Sequence, residues 1–317
     1  MPSPRSLRLG TRASALARWQ ADWVAARLEE LGVEVVPVPV TTQGDREQRG
    51  SVAAIGGQGV FTKEIQQALL DDRIDLAVHS LKDLPTQPVD GLSLAAVPKR
   101  GPAGDVLVGR EHATLDELPE DAVVGTGSLR RRAQILHVRP DLRIRDVRGN
   151  VDTRLRKLDT GDYDAVVLAE AGLRRLGLAE RITQVLPPAI VLPAVGQGAL
   201  GLETRRDDEA TRAVVGQLDH GPTHAAVLAE RAMLAALEGG CLAPIAAWGR
   251  PEGDVLELTG RVLHPDGTRK IETTLTGPLS EPTELGDRVA GELAAQGAAE
   301  LIRAAREASG VAKSGQD

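Results

Sequence analysis

Short apolar runs alternate with amphipathic stretches along the first two-thirds of the chain, and this restricts the fold more than any other feature. Such runs suit buried strands, and stretches with a 3.6-residue period suit helices laid on them. Repeated in turn they make βα units on a largely parallel sheet. Strands are expected at 7–9, 33–40, 75–79, 92–97, 122–124, 142–147 and 165–169. Helices are expected at 14–31, closed by Gly32, and at 61–70, 128–138, 151–158 and near 173–178. A Pro- and Gly-rich stretch at 98–105 reads as a hinge between two α/β sets, which are related halves on this pattern. Pro187, Pro188 and Pro193 break the rhythm, and 195–203 reads as a strand returning to the first set. Beyond Gly221-Pro222 come a helix at 225–237, strands at 255–263 and 271–275, and a helix from about 284 to 308, a small α+β unit. Residues 41–59 are Gly-rich, charged and aperiodic, the pattern of a long functional loop, and the polar tail 309–317 reads as frayed.

At 317 residues the chain is too long for one ordinary core, so two or three domains are expected. A net charge of −7 argues against a general nucleic-acid or anionic-membrane binder. A single cysteine, Cys241, excludes an intrachain disulfide and fits a reducing, cytoplasmic setting. Residues 1–10 lack the apolar core of a secretory signal, and no apolar run approaches the roughly 18 residues of a membrane span.

Two α/β units joined by a hinge bind ligands between them, at the carboxyl ends of strands. The loops there carry the chemistry. After strand 75–79 comes His79-Ser80-Leu81-Lys82-Asp83. It sets a carboxylate able to exchange protons or steady a cation beside an anion-binding lysine; the bland alternative is a surface ion pair on a turn. Gly125-Thr126-Gly127-Ser128-Leu129-Arg130-Arg131 leads from strand to helix. Ser128 suits the N-cap, and a helix start attracts anions; an ordinary cap and a solvated basic turn is the alternative. Of the 38 Lys+Arg only six are lysine, and nine arginines fall between Arg130 and Arg156. A GC-rich genome accounts for the total as well as function does, but not for the clustering, which in an acidic chain calls for a polyanion. Solvated positions such as Arg132, Arg139 and Arg156 are expected outside the site. Glu238-Gly239-Gly240-Cys241 puts the thiol on a flexible turn, although most lone cysteines are inert core residues. The six histidines form no metal-ligand spacing, so no metal is expected.

Taken together, these segments resemble the porphobilinogen deaminase (hydroxymethylbilane synthase) family. The match is carried by Thr11-Arg12-Ala13-Ser14, Gly56-Gly57-Gln58-Gly59-Val60-Phe61-Thr62-Lys63-Glu64, Ala77-Val78-His79-Ser80-Leu81-Lys82-Asp83 and Gly125-Thr126-Gly127-Ser128-Leu129-Arg130-Arg131. It continues through Arg148-Gly149-Asn150-Val151, Thr153-Arg154-Leu155, Leu173-Arg174-Arg175-Leu176-Gly177, Leu192-Pro193-Ala194-Val195-Gly196-Gln197-Gly198 and Glu238-Gly239-Gly240-Cys241. The order and spacing hold from about residue 7 to about 305.

The resemblance implies two periplasmic-binding-protein-like α/β domains with an active-site cleft between them, plus a small C-terminal α+β domain. The expected division is 1–99 with 199–217, 100–198 and 218–317. It implies a transferase of tetrapyrrole biosynthesis that condenses four porphobilinogen molecules head to tail, releasing ammonia, to give hydroxymethylbilane. It also implies a dipyrromethane cofactor joined to Cys241 by a thioether, and a cytoplasmic monomer without nucleic-acid or membrane partners. Asp83 is the implied catalytic carboxylate. Lys82, Asp83, Thr126, Ser128, Arg130, Arg131 and Arg154 are the implied cofactor contacts. Arg12, Ser14, Phe61, Arg148, Arg154, Arg175 and Gln197 are the implied substrate contacts. The chain departs from the common pattern at Gln58, where relatives often carry lysine, at Leu81 in place of methionine, and at Gly127 in place of serine. A two-lobed solute-binding protein is the rival reading and leaves Cys241 unexplained. A nucleic-acid binder is a second rival, weakened by scattered aromatics.

Overall fold

The computed structural model describes residues 6–42, 62–238 and 243–308. Among these, three sheets organise the chain. The first has the order β2-β1-β3-β10-β4, from β1 Leu7–Thr11, β2 Val35–Pro39, β3 Leu76–Ser80, β4 Leu92–Ala96 and β10 Leu200–Arg205. Helix α1, Ala15–Glu30, and helix α2, Lys63–Leu70, cover opposite faces. Strand alternation explains this: Leu76 and Val78 join the cluster under α1, whereas Ala77 joins Ile65, Ala68 and Leu69 of α2. Burying one such aliphatic side chain is worth roughly 1.5–3 kcal/mol, so both faces drive the fold.

The second sheet has the order β7-β6-β8-β5-β9, from β5 Asp105–Gly109, β6 Val123–Gly125, β7 Arg143–Arg145, β8 Ala165–Ala169 and β9 Gln184–Leu186. Helix α3, Leu129–Val138, packs on one face, and helices α4, Val151–Asp159, and α5, Glu170–Arg175, on the other. The two sheets share one plan. In each, four strands run the same way and one antiparallel strand, supplied from across the hinge, lies between the last two of them, β10 in the first and β5 in the second. The sheets are therefore largely parallel in strand direction, with one antiparallel strand in each. Each inserted strand belongs to the chain that crosses over, and crossing reverses its direction.

The third sheet, β11-β12-β13, is antiparallel, from Ile245–Glu252, Val255–Leu263 and Lys270–Pro278. A short helix α6, Glu209–Val215, precedes helix α7, Gly221–Ala236. Helices α7, α8 Pro282–Ala295 and α9 Ala298–Ala308 close this core. Three features differ from expectation. β5 begins at the residue where the expected hinge ends, because its apolar run, Val106 to Val108, is too short to show a period. β11 holds Gly249 and Pro251, which look like breakers; Gly249 is needed because a Cβ there would meet Ala226 of α7 at 2.9 Å, and Pro251 is tolerated on an edge strand. The final helix is two helices, parted at Gly297 with φ +98°.

Candidate active site

The carboxyl ends of strands from both α/β sheets converge on one cleft of about 380 Å³. From the first sheet come Arg12, Ser14, Lys82 and Asp83, and from the second Arg131, Arg148, Arg154 and Arg175, all lining it. Ser14 accepts the Ala17 N–H and caps α1. The turn bearing Lys82 and Asp83 follows β3 as a single 3-10 turn over Leu81–Asp83. Leu81 N–H donates to Ala199 O at 3.1 Å. A Cβ on Gly196 would sit 3.2 Å from Leu81 C and Lys82 N, so the close backbone approach there requires glycine. On the other side Ser80 exchanges hydrogen bonds with the Gln20 amide of α1, at 2.8 and 3.2 Å.

The cleft is strongly cationic. Burial pushes the Lys82 ammonium down to about 8; Asp83 opposes this, and Arg131 reinforces it. Burial also pushes Arg154 down to about 10, with Arg131 adding to the drop and Asp83 offsetting it. Arg175 falls to about 10 through burial alone. All three stay charged near neutrality, Arg because its guanidinium does not deprotonate in proteins. None of the three makes an ion pair with a described residue. Arg154 donates to Gly149 O at 2.8 Å and Arg175 to Gly198 O at 2.7 Å, which leaves further donors on each fork. Half-buried cations without ion pairs cost desolvation, and a ligand that brings carboxylates offsets it.

Arg130 and Arg131 sit differently from their neighbours. Both are 5% exposed and share Asp105, itself 0% exposed, through contacts of 2.8 and 2.7 Å. Arg130 also donates to Leu192 O at 2.5 Å and lies away from the cleft lining. Arg131 donates to Val167 O at 3.0 Å and still reaches the cleft wall. Asp105 is held down at about 2; burial works against this, and the two guanidinium groups outweigh it. Thr126 is buried and accepts the Ser128 N–H at 3.2 Å, and Ser128 caps α3 by accepting the Arg131 N–H at 3.4 Å. Gln197 is buried in the turn that precedes β10, its amide donating to Ala103 O at 2.7 Å and to Asp105 at 3.0 Å. Thr126, Ser128 and Gln197 thus shape the site from behind its wall. Cys241, Phe61 and most of the glycine-rich stretch 41–59 lie outside the described residues.

Asp105 and Gln20 escape a sequence reading. Asp105 hides at the end of a hinge-like stretch. Gln20 is 3% exposed on the apolar face of α1, and a glutamine in that row is the one signal that marks it. Among the described residues no metal-binding cluster exists, and no helix is long and apolar enough to cross a membrane.

Residues 7–213 match the family model described as porphobilinogen deaminase, dipyromethane cofactor binding domain, and residues 224–295 match porphobilinogen deaminase, C-terminal domain. Porphobilinogen deaminase of Geobacter metallireducens is 48% identical over 302 residues, covering 95% of each chain. That of Pelotomaculum thermopropionicum is 48% identical over 305 residues, 96% of this chain and 98% of the relative. Solved structures similar to the chain include the methionine-binding protein MetQ, at 14% identity, TM-score 0.45, over 68% of this chain and 90% of that one. A second is a methionine-binding lipoprotein of Bacillus subtilis, at 12% identity, TM-score 0.42, over 67% and 89%. With two family models spanning the two α/β sheets and most of the third unit, and relatives near half identity along almost its whole length, the chain belongs to the porphobilinogen deaminase family.

Proposed function

We propose that this chain joins four porphobilinogen molecules head to tail, with loss of ammonia, into hydroxymethylbilane, on a dipyrromethane anchored by a thioether at Cys241. The observation that carries the proposal is the cleft itself: Lys82, Arg154 and Arg175, none in an ion pair with a described residue, line the same cleft as the carboxylate of Asp83. Each pyrrole unit brings an acetate and a propionate, so a dipyrromethane suits this donor set. Arg131, Arg154 and Lys82 would hold its carboxylates, and Arg12, Ser14, Arg148 and Arg175 those of the incoming substrate. When bound, the dipyrromethane supplies the nucleophilic pyrrole carbon to which the first unit is added.

The residues of the chain do the rest. Asp83 gives a proton to the departing amine of porphobilinogen. Its carboxylate then steadies the positive charge left on that substrate's methylene and ring nitrogen. Once the new carbon–carbon bond has formed, Asp83 takes the ring proton and is restored to its starting state. The arginine forks orient each carboxylate pair bidentately, which fixes the reacting carbons within reach. Cys241 suits the anchor because its sulfur is a good nucleophile toward an electrophilic methylene and a thioether survives turnover. The three sheets favour a division at 1–99 with 199–217, 100–198 and 218–317, and the active chain is proposed to be a cytoplasmic monomer.

Incubation of the purified chain with porphobilinogen tests the reading. Release of ammonia together with a linear tetrapyrrole is expected, and binding without turnover would leave only a solute-binding role. The Lys82 ammonium adds a pH signature. A carboxylate ligand binds best to the charged amine, so binding draws a proton in when the pH is above about 8. Loading of the dipyrromethane into the primer-free chain is therefore expected to weaken as pH climbs through about 8, and Lys82→Met to flatten that fall. An unchanged pH dependence of primer loading in the variant, read by intact mass, would separate Lys82 from the primer carboxylates.

A further inference from the structure

The mechanism makes no use of Arg231, a half-buried cation beside the Asp83 turn. Arg231 lies on α7, and burial, partly offset by Glu203, lowers its pKa. It makes no ion pair with a described residue. Its guanidinium instead donates to Leu84 O at 2.9 Å and Pro85 O at 2.7 Å, the two carbonyls directly after Asp83. An arginine partly taken out of water with no ion pair to offset it is costly, and two backbone carbonyls would be satisfied more cheaply by water or a neutral amide. The fork geometry fixes both carbonyls at once, which neither alternative does.

The surrounding contacts point to the same turn. Val227, one helical turn before Arg231, packs with Leu81, Leu84 and Ala199. Glu230, the neighbour of Arg231 on α7, accepts the Gly196 N–H at 2.7 Å and pairs with Arg100 at 2.6 Å. Gly196 is the residue packed against Leu81 and Lys82. Three side chains of α7 thus hold the Asp83 turn and the backbone behind it. In sequence, α7 runs toward Cys241.

We infer that Arg231 is a positioning residue for the reaction: by clamping the Leu84 and Pro85 carbonyls to α7, it holds the Asp83 carboxylate in register with the bound pyrrole units. The inference rests on the assignment of Asp83 made above. It acts on the chemical step rather than on carboxylate binding, because Arg231 is absent from the cleft lining.

Arg231→Met keeps the stem length and removes both donors, and Arg231→Lys keeps the charge with a point donor. Each variant is purified with its primer, the primed fraction is read by intact mass, and kcat and KM for porphobilinogen are corrected to that fraction. Arg231→Met is expected to lose about 10- to 100-fold in kcat, the scale of a misplacement near 1 Å, with KM within about twofold. Arg231→Lys is expected to fall between it and the wild type. Folded, primed Arg231→Met with kcat within about twofold of wild type would overturn the inference, since a purely structural residue lowers the melting temperature and not the rate per primed molecule. If Arg231→Met is not recovered folded, Arg231→Lys decides: wild-type kcat overturns the inference, and a selective fall in kcat upholds it. A wild-type chain that does not consume porphobilinogen would instead strike the functional assignment, and an active wild type with an active Asp83→Asn would strike the role of Asp83.

Discussion

Replacing Asp83 with asparagine is expected to leave the primer in place and to lower kcat by about 10²- to 10⁴-fold, the usual worth of a positioned acid–base group. Asparagine matches the side chain in size, so the 3-10 turn over Leu81–Asp83 and its Ala199 contact stay intact. What is lost is the exchangeable proton and the negative charge. That charge is also the one opposing the fall in the Lys82 and Arg154 pKa values. Its removal makes the cleft more cationic, so KM should stay level or drop while kcat collapses. Steady-state kinetics with porphobilinogen separates the two terms. A near wild-type kcat in Asp83→Asn would remove this carboxylate from the chemistry.

Asp105→Asn is expected to cost about 3–5 kcal/mol of stability, the scale seen when one member of a buried charge set is removed. Arg130 and Arg131 both rely on this carboxylate and have little access to water, so the variant strands two guanidinium charges. Against a typical total of about 5–15 kcal/mol this is a large share. The pH dependence follows with a definite sign. The folded carboxyl titrates at about 2, below its ordinary 3.8. Its contribution is therefore complete above about pH 4 and is lost as pH falls from there toward 2. Urea unfolding of wild type and variant at neutral pH and near pH 3 checks both statements. A variant loss under about 1 kcal/mol at neutral pH would show that the pair is not holding the head of α3.

The parts of the site that were legible in the sequence share a physical origin. Ser14 and Ser128 are helix caps at strand–helix junctions, and Lys82 and Asp83 follow a run of buried residues; each is a local signal read from neighbours in the chain. The cap bonds to Ala17 and Arg131 are correspondingly short-range. The clustering of arginines was also visible, but their division of labour was not. Arg130 and Arg154 look equivalent in sequence, yet one is paired with Asp105 and the other makes no ion pair with a described residue, feeling only the charge of Asp83 across the cleft. The partner that separates them is 25 residues from Arg130 and arrives on a strand inserted from across the hinge. Arg231 was invisible for the same reason, since its carbonyl partners lie 147 and 146 residues away. Strand β11 was hidden by Gly249, which makes sense only once α7 is seen to press on it, and by Pro251, which makes sense only once the strand is seen to lie at a sheet edge.

The central claim is that a permanently anchored primer on Cys241 grows within the cationic cleft by action of Asp83. Intact-protein mass, taken before and after porphobilinogen is added, tests it most directly. The expected results are a purified chain heavier than its sequence by one dipyrromethane, a ladder of added pyrrole units after mixing, and neither in Cys241→Ser. A folded wild-type chain with the bare sequence mass and no ladder would contradict it.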